Sequence, residues 1–361
     1  MVILSVPRVV RPVVAKRSVA IPLPAPPEVS AKDNRLKMLK IKEVRVSLNK
    51  DFLEIERLTV TVITDNYYDA LRPDPPNGKR YRSFPGASIH AEHGFSCHLE
   101  TVVNGRSYFF MFDYGLDCRG IINNMELLGI DPGKVDAFGL SHGDFDHWSG
   151  LIGVLKNSNQ KIPQDTPLYL GEDTFAHRYS IRPGSQALID LSELKKEAIE
   201  SAGIVRVVEV AEPTEVIPGC YMTGNIERTT EYEKGSPTLL IKRGDRLEQD
   251  YFPGEQAIVC NVRGKGLVVI SGCAHSGLVN TVKYAQKITG INKIHAVIGG
   301  FHLINAKEEI IEKTILDIKT IAPDYIIPAH CTGFEAITRF AKEMPEQFIL
   351  NTAGTKYVFD S

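Results

Sequence analysis

The stretch SHGDFDH, at residues 141–147, follows an apolar run typical of a short buried strand. Alternate residues of an extended segment point to the same side, so His142, Asp144 and Asp146 can face one pocket. His147 then enters from the first turn of the helix that the next residues predict. Four potential ligands within six positions indicate a metal site.

Imidazole and carboxylate together suit Zn²⁺, Fe²⁺ or Mn²⁺ better than Ca²⁺, which prefers sites made only of oxygen. The alternative interpretation is a solvated polar turn, with one aspartate capping the helix and one histidine packed against its neighbours. The density of donors directly after a hydrophobic strand favours the metal site.

The composition excludes several classes of protein. The chain has 361 residues, of which 43% are hydrophobic and 24% charged, and its formal net charge is −2. This balance is ordinary for a soluble globular protein and argues against a disordered chain. It also lacks the basic excess of a nucleic-acid binder. No apolar run reaches the roughly 18–20 residues that span a bilayer. We therefore expect neither a nucleic-acid nor a membrane partner.

The six cysteines are scattered and none forms a CxxC pair. In a chain of this length the pattern indicates reduced, mostly buried thiols. We accordingly expect a cytoplasmic protein, with a homo-oligomer left open.

The sequence predicts an N-terminal arm, residues 1–40, and one domain, residues 41–361. The first 27 residues contain six prolines and no acidic residue. An acid-poor start with arginines is also typical of a transit peptide, but the prolines break the amphipathic helix that such a peptide needs. A flexible or strapping arm is the favoured interpretation.

From residue 58 onward, strand and helix patterns alternate. Two β-rich runs flank Asn104-Gly105, which suits a type I′ hairpin turn. In the second half, residues 191–202 predict a helix and residues 205–210 a strand. This alternation favours a layered α/β architecture.

Several motifs carry a resemblance to a known family. The 141–147 run resembles the HxHxDH signature of the metallo-β-lactamase superfamily. FDYG at 112–115 resembles the early DxG element of the same superfamily. Further motifs resemble one branch of it, typified by dihydropterin–ribofuranosylaminobenzene phosphate synthase: DN at 65–66, EHGFS at 92–96, SGCAHSG at 271–277, GGFHL at 299–303 and PAHCTG at 328–333. The resemblance covers roughly residues 57–359.

The resemblance implies an αββα sandwich of two mixed β-sheets flanked by helices, with one or two divalent metal ions at one edge. It makes His142 and His275 ligands of a first ion. It assigns Asp146, His147 and His330 to a second ion.

Asp144 departs from the family pattern, which has histidine there. A carboxylate can still bind metal but is a harder ligand, which favours Fe²⁺, Mn²⁺ or Mg²⁺ over Zn²⁺. Cys273 occupies the strand end where a bridging acid is usual, so both one and two filled sites stay open.

Other residues are assigned to the surroundings of the metal. Asp113 is expected to orient a metal-binding histidine, and His93 and His302 are candidates for contact with the substrate. Cys273 is interpreted as a neighbour of the ligands. Asp146 and His302 are the candidate catalytic groups, for orienting an attacking water and for stabilising a developing anion.

The leading functional prediction is a metal-dependent enzyme of hydrolase type acting on a small, anionic substrate, phosphorylated or pterin-like. The alternative within the family is a synthase, in which the metals hold a pyrophosphate leaving group while an aryl carbon displaces it from a pterin methylene. An iron-dependent redox protein and a non-catalytic, metal-stabilised binding protein are further hypotheses.

Overall fold

The structure is a computed structural model that describes residues 52–182, 184–202 and 205–361. The predicted arm, residues 1–40, lies outside the described residues.

Nineteen strands and seven α-helices make up this part of the chain. The strands are β1 (Glu54–Ile55), β2 (Arg57–Thr64), β3 (Gly78–Arg80), β4 (Ser96–Val103), β5 (Arg106–Phe112), β6 (Ala137–Gly139), β7 (Thr166–Leu170), β8 (Arg178–Ile181), β9 (Leu188–Ser192), β10 (Val205–Glu209), β11 (Thr214–Ile217), β12 (Cys220–Met222), β13 (Leu239–Arg243), β14 (Arg246–Gln249), β15 (Ala257–Val262), β16 (Gly266–Ser271), β17 (Ile294–Gly300), β18 (Tyr325–Ala329) and β19 (Thr355–Asp360). The helices are α1 (Cys118–Leu128), α2 (Phe145–Trp148), α3 (Leu151–Asn157), α4 (Lys196–Ala202), α5 (Leu278–Thr289), α6 (Glu308–Ile321) and α7 (Phe334–Glu343).

Two mixed sheets form the centre of the fold. The first has eight strands in the order β10-β7-β6-β5-β4-β2-β19-β3. The second has seven, in the order β11-β12-β15-β16-β17-β18, with β1 beside β15. A third, antiparallel sheet of order β14-β13-β8-β9 was not expected from the sequence.

Apolar side chains hold the layers together. Between the two large sheets, Phe110 and Phe112 pack in one cluster with Ile258 and Ile270 of the facing sheet. Helices α5, α6 and α7 cover the outer face of the seven-stranded sheet. Helices α1, α3 and α4 cover that of the eight-stranded sheet. The layer order is therefore αββα, and the predicted fold class is confirmed.

The predicted hairpin joins β4 and β5. Asn104 and Gly105 both have positive φ, 50° and 72°, as a type I′ turn requires. Val103 pairs with Arg106 across the turn.

The helix predicted over residues 191–202 is wrong in its first part. Strand β9 continues to Ser192 and pairs with β8, and α4 begins only at Lys196. The side chains of β9 alternate in exposure, because pairing with β8 imposes a period of two on this segment.

None of the helices in the described part of the chain is long and apolar enough to cross a membrane.

Strand direction decides where functional side chains gather. Strands β5, β6 and β7 are parallel to one another in the first sheet, and β16, β17 and β18 are parallel in the second. Parallel strands present their carboxyl ends at the same edge of a sheet, and that is where ligands bind in α/β proteins. The motifs that follow β6, β16, β17 and β18 are therefore brought to the edges at which these strands end.

Asn124 of α1 fixes the segment that leads to the His93 loop. Its fully buried side chain donates to the carbonyls of Ile63 and His90, at 2.9 and 2.8 Å, and accepts from the His90 amide at 2.8 Å.

We expect Asn124→Ala to lower the free energy of unfolding by about 2–3 kcal/mol, because it leaves buried backbone groups unpaired. Urea denaturation measures this. The neighbouring change Asn123→Ala removes a more exposed amide and should cost less than about 0.5 kcal/mol. Equal losses in the two variants would contradict the assignment.

Candidate metal centre

The first set of donors lies in the loops that follow β6 and β16. His142 and His275 approach each other to 3.2 Å between their Nε2 atoms. The Asp144 carboxylate lies 3.6 Å from His142 Nε2 and 3.3 Å from His275 Nε2. All three residues are buried. Two imidazoles and one carboxylate thus converge on one point, as a divalent transition metal requires.

The second set lies beside the first. Asp146 Oδ2 is 3.3 Å from His330 Nε2 and 3.2 Å from His93 Nε2. His93 is the outermost member, since 54% of its side chain is exposed. His147 is fully buried, and its ring lies 4.2 Å from that of His142 and 5.0 Å from that of His330. His147 therefore connects the two sets.

Asp113 directly follows β5, and its carboxylate contacts the loop that carries the predicted ligands. Its carboxylate accepts from the Ser141 amide and the Ser141 hydroxyl, each at 2.7 Å. It also lies 2.7 Å from Nδ1 of His147. A proton held at that Nδ1 leaves the Nε2 lone pair of His147 directed at the cluster. The expectation that Asp113 orients a metal-binding histidine agrees with this geometry.

The polar atoms of the cluster fit a divalent cation. Asp144 Oδ1 and His330 Nε2, the latter 3.3 Å from Asp146 Oδ2, are buried without a hydrogen-bond partner. Buried polar atoms are nearly always paired, so such a group of exceptions needs an explanation. A cation held by neighbouring imidazole and carboxylate donors supplies one, and these donor types match the transition metals expected from the sequence.

The electrostatics favour the same interpretation. Burial disfavours the charged forms of Asp144 and Asp146, but hydrogen bonds and charge from neighbouring histidines outweigh it and hold the pKa of both carboxyl groups below its ordinary value. Burial also opposes the cationic form of His147, yet the charge and hydrogen bond of Asp113 raise its pKa to about 9. Burial and the charge of His147 lower the pKa of His142. An ionised carboxylate and a neutral imidazole are the forms that bind a metal ion.

Sequence reasoning missed two residues that support the first set. Arg178 is buried; its Nε donates to Asp250 at 2.8 Å and lies 3.7 Å from Asp144 Oδ1. Phe252 stacks on the His275 ring, with centroids 3.8 Å apart, and it also contacts the His142 ring edge-on at 5.5 Å and the guanidinium of Arg178 at 5.1 Å. Neither residue lies in a motif, because only the packing of the third sheet brings β8 to the cluster.

A cavity of about 510 Å³ opens beside the donors. His275 and His302 form its inner end, and the rings of these two histidines lie 4.2 Å apart. Lys234 and Lys307 line its wall, and both are exposed. The cavity is large enough for a small organic substrate.

The structure brings every site residue predicted from the sequence into this region: Asp113, His93, His142, Asp144, Asp146, His147, Cys273, His275, His302 and His330. Their individual roles stay predictions.

The fold matches that of a known class of enzyme. A crystal structure described as a metal-dependent hydrolase of the β-lactamase superfamily superposes with a TM-score of 0.64 at 23% identity, covering 84% of this chain and 100% of that one. No family model matches the sequence. Together with the relatives described next, this makes the protein an enzyme of the metallo-β-lactamase superfamily.

Two relatives from Methanocaldococcus jannaschii define the family more narrowly. The 7,8-dihydropterin-6-methyl-4-(β-D-ribofuranosyl)-aminobenzene-5′-phosphate synthase is 37% identical over 268 residues, which cover 73% of this chain and 89% of the relative. An uncharacterised protein is 30% identical over 254 residues, covering 70% and 88%. The chain belongs to the family of this synthase.

We expect Asp113→Asn to weaken divalent-metal binding by about 10–100-fold, because partners that orient ligands contribute that much to affinity. Titration against a chelating indicator measures the change. Asp136→Asn is the matched control, since the Asp136 carboxylate accepts from the Phe109 amide at 2.7 Å and contacts no residue of the cluster. Wild-type affinity in Asp113→Asn would show that the carboxylate has no part in metal binding.

Proposed function

We propose that the protein is a metal-dependent synthase that joins a dihydropterin methylene group to a ribofuranosylaminobenzene phosphate. The observation that carries the proposal is the close relation to the synthase over 89% of its length. This favours the alternative within the family over the hydrolase that was the leading prediction from the sequence. A cluster of metal-binding type beside a cavity of about 510 Å³ supports it.

We assign two cation positions to the donor sets. His142, Asp144 and His275 would hold one cation, and Asp146, His147 and His330 the other. A divalent cation bound there supplies positive charge that stabilises an anionic leaving group such as pyrophosphate, and it lowers the pKa of bound water in a hydrolytic reaction. Asp144 in place of histidine favours Fe²⁺, Mn²⁺ or Mg²⁺ over Zn²⁺ at the first position.

The cavity would bind and orient the organic substrates. Its walls combine apolar side chains, such as Phe301 and Leu303, with the ammonium groups of Lys234 and Lys307. Apolar walls suit the flat rings, and the two lysines would attract the phosphate of the aminobenzene substrate. His302, at the inner end, would donate a hydrogen bond to the charge that develops on the leaving group.

The chemistry of the aminobenzene substrate selects the attacking atom. We assign the attack to the amine nitrogen instead of the aryl carbon, because its lone pair forms the new bond without disrupting the aromatic ring. The nitrogen then loses its proton, and the pyrophosphate leaves with the electron pair of the broken C–O bond. Asp146 is the group we assign to orient the reacting centre.

The direct test incubates the purified protein and a divalent metal with a dihydropterin methyl pyrophosphate and ribofuranosylaminobenzene phosphate. Mass spectrometry should detect the coupled product and released pyrophosphate. Asp146→Asn should lose at least about 100-fold in rate, since it weakens metal binding and removes the orienting group. Formation of dihydropterin methanol alone, with no coupling, would support the hydrolase instead.

Elemental analysis of the untreated protein tests the donor sets themselves. We expect close to two divalent metal ions per chain if both positions fill, and one if Asp144 weakens the first. His147→Ala and Asp146→Ala should lose metal and activity together. Unchanged metal content in both variants would refute the ligand assignment. The same measurement detects iron and therefore tests the redox hypothesis.

A further inference from the structure

Two thiols lie in contact at the base of the cluster. Cys273 follows β16 and Cys331 follows β18, and their sulfur atoms are 3.1 Å apart. Only 3% of Cys273 and 5% of Cys331 is exposed. Neither thiol has a part in the mechanism above.

An imidazole completes this group. One ligand atom each from Cys273, His302 and Cys331 lies within 4.8 Å of the other two. His302 Nδ1 is buried and has no hydrogen-bond partner. The imidazole also forms a hydrogen bond with the Cys331 side chain. Two thiols and an imidazole in mutual reach are the donor types that a soft metal ion prefers.

The backbone is shaped to bring these side chains together. Ala274 and His302 have positive φ, 55° and 45°, which is uncommon for residues other than glycine and clusters at ligand-binding positions. Gly300 packs against both cysteine-bearing segments. A Cβ there would lie 2.3 Å from the Gly272 carbonyl oxygen, 2.7 Å from the Cys331 sulfur and 3.2 Å from the Cys273 Cα. A side chain at position 300 would therefore clash with the backbone before Cys273 and with the Cys331 thiol.

We propose that Cys273, His302 and Cys331 bind a thiophilic divalent cation, of the zinc and cadmium class, at a position chemically distinct from the two His/Asp sets. Two cysteines and one histidine are a known donor set for metal ions that keep a fourth position open. Both thiols release their protons to solvent on binding, so the two thiolates neutralise the charge of the cation.

The Cys/His position lies next to the two His/Asp positions but offers different donor atoms. The Cys273 sulfur lies 3.1 Å from His147 Nε2, so the thiol set borders the second His/Asp set. Imidazole and carboxylate donors suit Fe²⁺, Mn²⁺ and Zn²⁺, whereas thiolates favour softer ions such as Cd²⁺. His302 can serve both roles described for it, because an imidazole that binds a cation through one nitrogen still carries an N–H on the other.

The test uses cadmium as the only added metal, on the full chain after removal of bound metal with a chelator under reducing conditions. Sulfur-to-cadmium charge-transfer absorption in the ultraviolet reports thiolate coordination, and equilibrium dialysis gives the affinity. Wild-type protein should develop the absorption on titration. Cys331→Ser and His302→Gln should bind cadmium at this position more than about tenfold more weakly. Cys118→Ser, which alters a half-buried thiol at the start of α1, is the matched control and should behave as wild type.

Several results would overturn the proposal: no charge-transfer absorption in the wild-type protein, the same absorption in Cys331→Ser, or recovery of the two cysteines as a disulfide after anaerobic purification. Circular dichroism establishes that the variants fold, and Cys331→Ala provides a second variant at that position.

The proposal extends beyond the synthase function and is tested separately from it. Asp146→Asn should lose Mn²⁺ binding but keep the cadmium absorption. Absence of coupled product with the absorption intact would count against the synthase alone.

Discussion

The Asp113 carboxylate is the constraint on which the site depends. It is fully buried at the end of β5, and its oxygens contact the Ser141 amide and hydroxyl and His147 Nδ1. A buried carboxyl group needs hydrogen-bond partners, and these three contacts supply them. The facing sheet must approach closely, because a Cβ on Gly272 would lie 2.2 Å from Ser141 Oγ and 2.8 Å from Asp113 Oδ2. One carboxylate thus ties the metal-binding loop to both sheets.

The charged side chains buried at this edge affect the stability of the loops that carry them. Asp144 and Asp146 are buried together with several imidazoles, and part of their hydrogen-bonding capacity is unused. Burying these carboxylates and imidazoles without a cation destabilises the folded state, since buried polar atoms need partners. A cation bound at the proposed positions would supply the missing partners and so would stabilise these loops.

Much of the fold and the cluster could be predicted from the sequence because the signals are local. The strands β2, β4 and β5 are rich in apolar and β-branched residues, because one or both faces of each strand are buried. The donors at His142, Asp144 and Asp146 stand out because they follow a buried strand within a few positions. The end of β9, residues 191–192, was mistaken for helix, since its pairing partner β8 is supplied by tertiary contacts and leaves no trace in the local pattern. Arg178 was missed for the same reason, because its contact with Asp250 spans 72 positions.

The sequence by itself determined the types of donor, their order and a layered α/β class, because side-chain chemistry and strand or helix periodicity are properties of short segments. The αββα arrangement and the departure at Asp144 followed from the resemblance of its motifs to a known family. Only the tertiary structure decided which donors share a position. Strand order and direction bring His275, His302 and His330 to His142 across more than 130 residues, place Phe252 against His275, and set Cys273 beside Cys331. Distances between such remote segments depend on how two sheets pack, and packing is a property of the whole chain.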